Sequence, residues 1–205
     1  MGGWVLIKIY RLFLFTALIT VFAPRVFAFE KAIFAGGCFW CMQPPFDRAP
    51  GVISTRVGYT GGEKANPTYE EVSGGTTGHA EAIEITFEPT QISYRELLSI
   101  FWHNTDPLTR MAQFCDHGDQ YRTGIFYLDE KQKTAAIESK TGLEKSKKFK
   151  SPIITEIAKA GAFYPAEDYH QGYYKKNPIR YKFYRFNCGR DKRLKELWGK
   201  EAPDH

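Results

Sequence analysis

Two cysteines three residues apart are the first residues of this chain whose types could do chemistry. Cys38 and Cys41 enclose Phe39 and Trp40 in the stretch GGCFWC. A strand that ends in Gly-Gly before a helix would place Cys38 at the helix N-terminus, where unpaired N–H groups and the helix dipole favour negative charge. Such a position lowers the pKa of a thiol, so the pattern predicts a nucleophilic Cys38. The alternative interpretation is a small, buried core cysteine.

A carboxyl group on an otherwise apolar strand face is the second candidate. In HAEAIEITFEP, residues 79–89, strand alternation puts Glu81 on the same face as Ile83 and Ile85, whereas Glu84 lies on the opposite face. Burial on an apolar face raises the pKa of a carboxyl group. A neutral carboxyl group can donate a proton near pH 7. The alternative is a solvated Glu81 at a frayed strand start.

The third candidate is a polar loop that leads into a strand, FCDHGDQYRTGIF, residues 114–126. It contains Cys115, Asp116 and Tyr121. Loops at strand ends often carry functional residues, but these residue types by themselves favour a plain turn.

Four cysteines leave several possible uses open: Cys38, Cys41, Cys115 and Cys188. An even number in an exported protein is typical of structural disulfides. A domain of this size does not need such cross-links, which favours catalytic use. A zinc site would normally show two close cysteine pairs. Only one pair is close here, so we expect no metal.

Strands alternate with helices along the chain. The predicted strands are EKAIFAGG, GVISTRVGYTGG, HAEAIEITFEP and YRTGIFYLD, and PIITEIAKAGAFYPA is predicted as a strand and a loop. The predicted helices are CFWCMQPPF, SYRELLSIFWHN, DEKQKTAAIESKTGLEKSKKF and GRDKRLKELWG, and NPTYEEVSGG is a short helical or looped piece. Ser93 and Glu96 form a capping-box pattern at the start of one helix. The alternation predicts a two-layer α/β fold, a mixed sheet with helices on one face, followed by a long irregular C-terminal tail.

The N-terminal segment has the composition of a signal peptide. Lys8 and Arg11 come before an apolar run over residues 12–23. The small residues Val26 and Ala28 are the third and the first residue before a possible cleavage site. The run is shorter than the about 20 residues that a membrane span needs. We expect cleavage after residue 28 and export to the periplasm or the medium. An uncleaved N-terminal anchor is the alternative.

Residues 29–205 are expected to form a single domain. Without Lys8, Arg11 and Arg25 the balance is 25 basic against 23 acidic residues, which does not favour nucleic-acid binding. Aromatic residues make up 16% of the chain, which suggests recognition by aromatic surfaces as well as core packing.

Six motifs in register carry a resemblance to a known family. GGCFWC, GYTGG, PTYEEVSGGTTGHAEAIEITFEP, FWHNTDPL, DHGDQYRTGIF and FYPAEDYHQGYYKKNP occur in this order over residues 31–178. Together they resemble the peptide methionine sulfoxide reductases of the A type. The resemblance implies a ferredoxin-like two-layer core. It also implies reduction of the S epimer of methionine sulfoxide, free or in proteins, to methionine.

The resemblance also implies roles for individual residues. Cys38 matches the nucleophile, and Glu81 matches the acid of the GHAE motif. The remaining matches are two tyrosines that bind the sulfoxide oxygen, an aspartate that orients water and the acid, and an aromatic pair that packs the substrate methyl group: Tyr69 and Tyr121, Asp116, Phe39 and Trp40.

The chemistry explains these residue types. A protonated Glu81 and two phenols would stabilise the sulfoxide oxygen as charge develops. Thiolate attack would leave a sulfenic acid on Cys38. A second thiol would then condense with it to a disulfide, which an external dithiol reduces. No bound cofactor is needed. The implied partners are oxidised methionine and a thioredoxin-like donor, and we expect a monomer without nucleic-acid partners or stable membrane insertion.

The cysteines are where the sequence departs from the family pattern. Cys41 stands where the family usually has glycine, Phe114-Cys115 replaces Gly-Asn, and the usual glycine-rich tail is absent. Three candidates for the resolving thiol follow. Cys188 is favoured because nearby arginines and lysines favour a thiolate. Cys41 is one helical turn from the nucleophile, but its turn also has to hold the substrate pocket. The Cys115 thiol is expected to react more slowly, because the neighbouring carboxylate of Asp116 raises its pKa.

Two other classes of function remain possible from the residues. A general thiol-disulfide oxidoreductase working through Cys38 and Cys41 would explain the cysteine pair but not Glu81. A non-catalytic module that binds methionine sulfoxide or peptides would tolerate the loss of Cys38.

Overall fold

The computed structural model describes residues 1–2 and 28–203. The predicted signal peptide lies almost entirely outside the described residues. No helix in the described ranges combines the length and apolar character required to cross a membrane.

The elements of the described chain follow one another with short connections. In chain order they are β1 (Glu30–Gly36), α1 (Phe39–Asp47), β2 (Val52–Thr60), α2 (Tyr69–Ser73), β3 (Ala80–Phe87), α3 (Tyr94–His103), β4 (Ala112–Gln113), β5 (Asp116–His117), a 3-10 turn (Asp119–Tyr121), β6 (Thr123–Tyr127), α4 (Glu130–Lys145), β7 (Glu156–Lys159), β8 (Tyr164–Pro165), α5 (Tyr173–Lys176), α6 (Pro178–Asn187), α7 (Arg190–Trp198) and a 3-10 turn (Gly199–Glu201).

The main sheet is mixed, with strand order β7-β6-β1-β3-β2-β8. All neighbouring pairs are antiparallel except β6 and β7. The four central strands β6-β1-β3-β2, together with α1 and α3, form the βαββαβ arrangement of ferredoxin-like folds. The predicted fold class is therefore confirmed, and the structure adds the strand order that the sequence could not supply.

The two faces of the sheet are covered differently. Phe34, Ile83 and Ile85 pack in one large apolar cluster with side chains of α1, α3, α4 and α7. Strand alternation sends Ile33 and Ala82 to the other face, which is covered by the loop that carries Phe163 rather than by helices. Helices on one face are what the sequence predicted.

Local signals set the helix starts. Ser93 and Glu96 make the predicted capping box at α3. Thr68 and Glu71 make a second one at α2. Each box satisfies two backbone N–H groups that the helix leaves unpaired, so both helices begin where their sequences specify.

The C-terminal tail is mostly helical, so the expectation of a long irregular tail is wrong for most of its length. Pro178 starts α6 at a position where its missing N–H costs nothing. Tyr181 and Arg185 are spaced four residues apart and form the buried face of α6. Leu194 and Trp198 of α7 enter the main apolar cluster. The tail therefore folds back and packs on the helix-covered face of the sheet, next to α1.

Candidate active site

Cys38 lies at the N-cap of α1, directly after β1. The glycine pair makes this abrupt start possible. A Cβ on Gly36 would lie within 2.6 Å of Met42, and Gly37 has a φ of +79°, which favours glycine. The first helical N–H, from Phe39, donates to Glu81 Oε2 at 3.0 Å. The strand-to-helix turn therefore brings the Cys38 thiol close to the Glu81 carboxyl group, the two groups that the sequence indicated as reactive.

A small pocket of about 80 Å³ opens at this turn. It contains all seven residues to which the sequence assigned catalytic or substrate-binding roles, and one more. Its lining consists of Cys38, Phe39, Trp40, Tyr69, Glu81, Asp116, Tyr121 and Tyr184. Drug-sized ligands occupy pockets of about 300–1,000 Å³, so this site suits the end of one side chain rather than a bulky cofactor.

Glu81 is buried, with 2% of its surface exposed, so the alternative of a solvated residue at a frayed strand end is wrong. Burial raises the pKa of its carboxyl group to about 8, and the negative charges of Asp116 and Cys41 add to this, against the hydrogen bond from Phe39. The carboxyl group is therefore protonated near neutral pH and able to donate, as its strand face predicted.

The Cys38 thiol does not follow the prediction of a lowered pKa. Burial raises its pKa above the usual value, and the hydrogen bond with Cys41 and the charges of Glu81 and Asp116 raise it further. The helix N-terminus favours a thiolate, but removal from water and two nearby carboxyl groups outweigh it. Cys38 is consequently a thiol in the free protein and has to lose its proton when substrate is present.

Cys41 is the more acidic member of the pair. Its hydrogen bond with Cys38 lowers its pKa to about 7 despite burial, and the positive charges of Arg190 and Arg185 contribute. Cys41 lies in the first turn of α1, where its N–H donates to the carbonyl of Cys38 at 3.0 Å. The hydrogen bond and the two arginines therefore favour the thiolate on Cys41 over the thiolate on Cys38.

Arg190 is the charge that sequence reasoning did not place at the site. Its guanidinium is 1% exposed, and its Nη2 donates to the carbonyls of Gly36 at 3.1 Å and Asn104 at 2.7 Å. Neither its Nε nor its Nη1 has a hydrogen-bond partner among the described residues. No acidic residue in the described part of the chain forms an ion pair with this guanidinium, and among the nearby charges a negative charge on Cys41 does most to raise the pKa of Arg190.

Three phenols surround the pocket. Burial raises the pKa of Tyr69 to about 12, and it also raises the pKa of Tyr121 and Tyr184. All three stay protonated donors at neutral pH. The Tyr184 hydroxyl donates to Asp116 Oδ2, while burial raises the pKa of Asp116 itself. Sequence reasoning missed Tyr184, because its position on α6 depends on a helix that was not predicted.

The Trp40 ring is held on two sides. It stacks on Tyr173 with centroids 3.7 Å apart and 5° between the planes. Its Nε1 donates to His170 Nδ1 at 2.9 Å. The Phe39 ring also contacts His170, at 5.0 Å between centroids. Both supporting residues come from FYPAEDYHQGYYKKNP, a motif that was noted in the sequence without a role for either residue.

A disulfide joins the two remaining cysteines, Cys115 and Cys188, which are 73 residues apart in sequence, with their Cα atoms at 4.9 Å. Cys115 is exposed and directly precedes Asp116 of the pocket. Cys115, Asp116 and Cys188 could together hold a metal ion if the cysteines were reduced, but their sulfurs are bonded to each other in this structure. Cys38 and Cys41 remain free thiols.

These features define the class of protein as a thiol-based oxidoreductase. A buried thiol lies one helical turn from a second buried thiol, a protonated carboxyl group and phenols face the same pocket, and a second cysteine pair lies beside it. The chain belongs to the peptide methionine sulfoxide reductase family, whose sequence model matches residues 30–202.

Known relatives agree with this assignment. Peptide methionine sulfoxide reductase MsrA of Bacillus licheniformis is 53% identical over 172 residues, which cover 84% of this chain and 95% of the relative. Reduced Mxr1 from Saccharomyces cerevisiae superposes with a TM-score of 0.69 at 31% identity, covering 74% of this chain and 87% of Mxr1. Mxr1 in complex with Trx2 gives a TM-score of 0.50 at 22% identity, covering 71% and 84%, a likeness that speaks for the fold alone.

Proposed function

We propose that this protein reduces the S epimer of methionine sulfoxide, free or in proteins, to methionine. The observation that carries this is the convergence of Cys38, Glu81, Tyr69 and Tyr121 on one small pocket. A sulfoxide needs a nucleophile at its sulfur and hydrogen-bond donors at its oxygen, and these four side chains supply both.

In the first step, the Cys38 sulfur attacks the sulfoxide sulfur. Glu81 gives its proton to the sulfoxide oxygen while Tyr69 and Tyr121 donate hydrogen bonds to it. The proton of the Cys38 thiol restores Glu81. The hydroxyl group then passes from the substrate sulfur to the Cys38 sulfur, and the bond between the two sulfurs breaks. The sulfoxide is thereby reduced by two electrons to methionine, and Cys38 is oxidised by two electrons to a sulfenic acid.

The aromatic pair between the cysteines positions the substrate. Phe39 and Trp40 line the pocket beside the Cys38 sulfur, and Trp40 is fixed by its stack on Tyr173 and its hydrogen bond to His170. A rigid apolar wall holds the methyl group on the sulfoxide sulfur. With the oxygen bound at the phenols, only one epimer can present its sulfur to Cys38.

For the second step we place Cys41 first among the three resolving candidates. Its thiolate attacks the sulfenic sulfur, the hydroxyl group leaves as water with a proton from Glu81, and a disulfide between Cys38 and Cys41 forms. The support is the position of Cys41 in the same helical turn as Cys38, where both thiols are buried and free, and the lowered pKa of Cys41. In the redox state of this structure Cys188 is bonded to Cys115, so it offers no thiolate to the sulfenic acid.

Cys188, which the sequence favoured, then acts in the third step together with Cys115. When reduced, these two thiols pass two electrons to the disulfide between Cys38 and Cys41 and become a disulfide themselves. An external dithiol reduces that disulfide by exchange and is oxidised in turn. The solvent exposure of Cys115 supports this order, since a protein donor cannot reach the buried Cys38 and Cys41.

Epimer selectivity tests the proposed activity. With dithiothreitol as reductant, chiral separation of a racemic peptide methionine sulfoxide after exhaustive reaction should show the S epimer consumed and the R epimer untouched. Equal consumption of both epimers would contradict the assignment. No sulfoxide reduction at all, together with disulfide exchange activity, would support the alternative of a general oxidoreductase using Cys38 and Cys41.

A thiol map tests the order of the cysteines. The fully reduced protein is mixed with one equivalent of sulfoxide and no reductant, quenched at increasing times, and analysed by mass spectrometry. We expect the bond between Cys38 and Cys41 before that between Cys115 and Cys188. In Cys41→Ser the sulfenic acid should persist longer. Direct formation of a bond between Cys38 and Cys188 in the wild type would restore the order that the sequence favoured.

A thioredoxin-like protein is the donor that fits this chemistry, as a dithiol able to approach an exposed disulfide. Mxr1 is known in complex with Trx2, and we extend that pairing to this chain as part of the proposal. Turnover of the wild type with a reduced thioredoxin, and its loss in Cys188→Ser while turnover with dithiothreitol remains, would support it.

Export is a further part of the proposal and rests on the residue pattern alone. Lys8, Arg11 and the apolar run that follows would direct residues 1–28 to cleavage, and the domain over residues 29–205 would repair oxidised exported proteins. Expression of the whole chain with intact-mass analysis tests this. A mature product that starts at Phe29 outside the cytoplasm supports export, and an unprocessed cytoplasmic product contradicts it.

A further inference from the structure

Two cysteines and one carboxyl group lie together beside the substrate pocket. The sulfurs of Cys115 and Cys188 and a carboxylate oxygen of Asp116 are all within 4.8 Å of one another. The oxygen next to the Cys115 sulfur is Asp116 Oδ1, at 3.8 Å. In the oxidised protein the two sulfurs are bonded to each other. Once that disulfide is reduced, two sulfur ligands and one oxygen ligand surround the same small space.

Hydrogen bonds from the surrounding chain orient these three groups. The Tyr184 hydroxyl donates to Asp116 Oδ2, which leaves Oδ1 as the oxygen beside Cys115. The backbone N–H of Cys115 donates to the sulfur of Cys188 at 3.2 Å. In metal sites, carboxylate ligands are likewise held by hydrogen bonds from groups that do not touch the ion. The cluster therefore has oriented ligands as well as the right ligand types.

The ligand types select a thiophilic ion such as Zn²⁺. Thiolates bind Zn²⁺ at about 2.3 Å, whereas Mg²⁺ and Ca²⁺ take oxygen ligands. The Cα atoms of Cys115 and Cys188 are 4.9 Å apart, so both sulfurs can reach one ion. Zn²⁺ accepts three protein ligands and one water in a tetrahedron. Because Cys115 is exposed, an ion can enter from solvent and keep a water as its fourth ligand.

An ion at this cluster would interfere with the proposed reaction in two ways. Asp116 lines the substrate pocket, so an ion on its carboxylate changes the charge and the hydrogen bonding there. In the proposed function, reduced Cys115 and Cys188 pass electrons to the bond between Cys38 and Cys41. Their sulfurs cannot attack that bond while their lone pairs are bound to a metal ion.

We propose that reduced Cys115 and Cys188, together with Asp116, bind one Zn²⁺ ion and that this ion reversibly inhibits the protein. The two thiols release their protons to solvent, two bonds from sulfur to zinc form, and no electrons are transferred. The ion is an inhibitor and not a resident cofactor. The inhibition rests on the proposed function, whereas the binding requires only the reduced chain.

Titration with Zn²⁺ tests the binding site. The full chain is reduced with a phosphine, freed of reductant under nitrogen, and titrated in competition with a chromophoric chelator. We expect one tightly bound ion per reduced chain, none for the oxidised chain, and no competition from excess Mg²⁺. Loss of a group that only orients a ligand costs about 10–100-fold in affinity. Loss of a ligand should therefore cost at least about 100-fold in Cys188→Ser and at least about tenfold in Asp116→Asn.

A matched variant and a second ion control this titration. Asp119 lies in the same loop as Asp116, but its carboxylate pairs with Arg122, so Asp119→Asn should change the affinity less than twofold. Co²⁺ in place of Zn²⁺ should give the charge-transfer absorbance of two thiolate ligands in the wild type. That absorbance should be lost in Cys188→Ser and kept in Cys41→Ser.

Turnover shows whether the bound ion inhibits. Sulfoxide reduction is driven by the phosphine, because dithiothreitol would itself bind Zn²⁺, and each protein is compared with and without the ion. We expect at least a tenfold loss of rate in the wild type and in Asp119→Asn, and less than a twofold loss in Cys188→Ser.

The possible results separate the binding site from the proposed function. Zinc binding that Cys41→Ser abolishes and Cys188→Ser preserves would place the ion on Cys38 and Cys41 and overturn the proposal. Unchanged affinity in Asp116→Asn, or tight binding without loss of turnover, would also overturn it. A zinc-free wild type that reduces no sulfoxide would overturn the proposed function and the inhibition with it, whereas the titration decides the metal site on its own.

Discussion

Replacing Glu81 by Gln should make the protein more stable and much less active at the same time. Glu81 is buried, and burial is the main reason that its pKa rises from 4.5 to about 8. The folded state therefore holds a proton that the unfolded chain releases at neutral pH. Stability from this group is fully present below about pH 4.5 and is lost as the pH rises to about 8.

The size of the effect follows from the shift. At pH 7 the solution is about 2.5 pH units above the pKa of Glu81 in the unfolded chain and still below its pKa in the folded protein. At about 1.36 kcal/mol per unit, the folded state has by then lost about 3 kcal/mol of stability. Gln cannot ionise, and its side-chain carbonyl can accept the hydrogen bond that Phe39 now donates to the carboxyl group. The free energy of unfolding of Glu81→Gln should therefore exceed that of the wild type by about 2–3 kcal/mol near pH 7, and by less than about 1 kcal/mol near pH 5.

Urea unfolding at both pH values, with the disulfide intact, measures this difference. Glu84→Gln is the control, because Glu84 lies on the same strand but forms ion pairs with Lys31 and Arg56. It should show no stability gain that grows with pH. An advantage of Glu81→Gln that stays constant between pH 5 and pH 7 would refute the view that Glu81 is held protonated.

Activity should change in the opposite direction. Loss of a positioned proton donor costs about 10²-fold in rate. In the wild type, kcat/KM for the sulfoxide should fall as the pH rises through about 8, where Glu81 loses its proton. That decrease should vanish in Glu81→Gln. A variant rate within threefold of wild type would mean that another group supplies the proton.

Three further substitutions test other parts of the site. Cys38→Ser should leave less than about 1% of sulfoxide reduction with any reductant, a loss of several kcal/mol in transition-state stabilisation, and a higher residual rate would require a different nucleophile. Tyr184→Phe removes the hydrogen bond to Asp116 and should lower kcat about tenfold, as a hydrogen bond to a charged group is worth about 1.5 kcal/mol; unchanged kcat would limit Tyr184 to a structural role. Arg190→Met should raise the pKa of Cys41 above about 7, measured by thiolate absorbance, whereas Arg190→Lys should largely preserve it; equal values in both variants would show that the charge at this position is not the cause.

Short-range patterns in the sequence determined the local parts of this molecule. The Gly-Gly pair before Cys38 marks a strand that turns directly into a helix, because only glycine tolerates that backbone and that packing. Alternation in β3 put Glu81 on the buried face, and the Ser93 and Glu96 pair set the start of α3. Each of these depends on residues that are close neighbours in the chain. They suffice to locate the thiol, the carboxyl group and the elements that carry them.

The protonation of the site was decided by tertiary structure. The sequence context of Cys38 predicted a lowered pKa, but the folded chain raises it, because burial and the charges of Glu81 and Asp116 act across distant segments. The pKa of Cys41 is lowered instead, first by its hydrogen bond with Cys38 and then by the charge of Arg190, which is 149 positions away in sequence. A pKa depends on desolvation and on charges within a few ångströms, and neither is encoded in the neighbouring residues.

The pairing of Cys115 with Cys188 was likewise decided only by the fold. Nothing local connects two residues that are 73 positions apart, and their approach requires α6 to exist and to pack beside Asp116. The spacing of Tyr181 and Arg185 is consistent with a helical face, but aromatic and charged residues on that face do not resemble the apolar stripe by which a buried helix is recognised. The polar partners of Arg185 are close in sequence, Tyr181 and Asp191. The burial of this face depends on packing against α1, where Tyr181 shares an apolar cluster with Cys41, and that contact is distant in sequence.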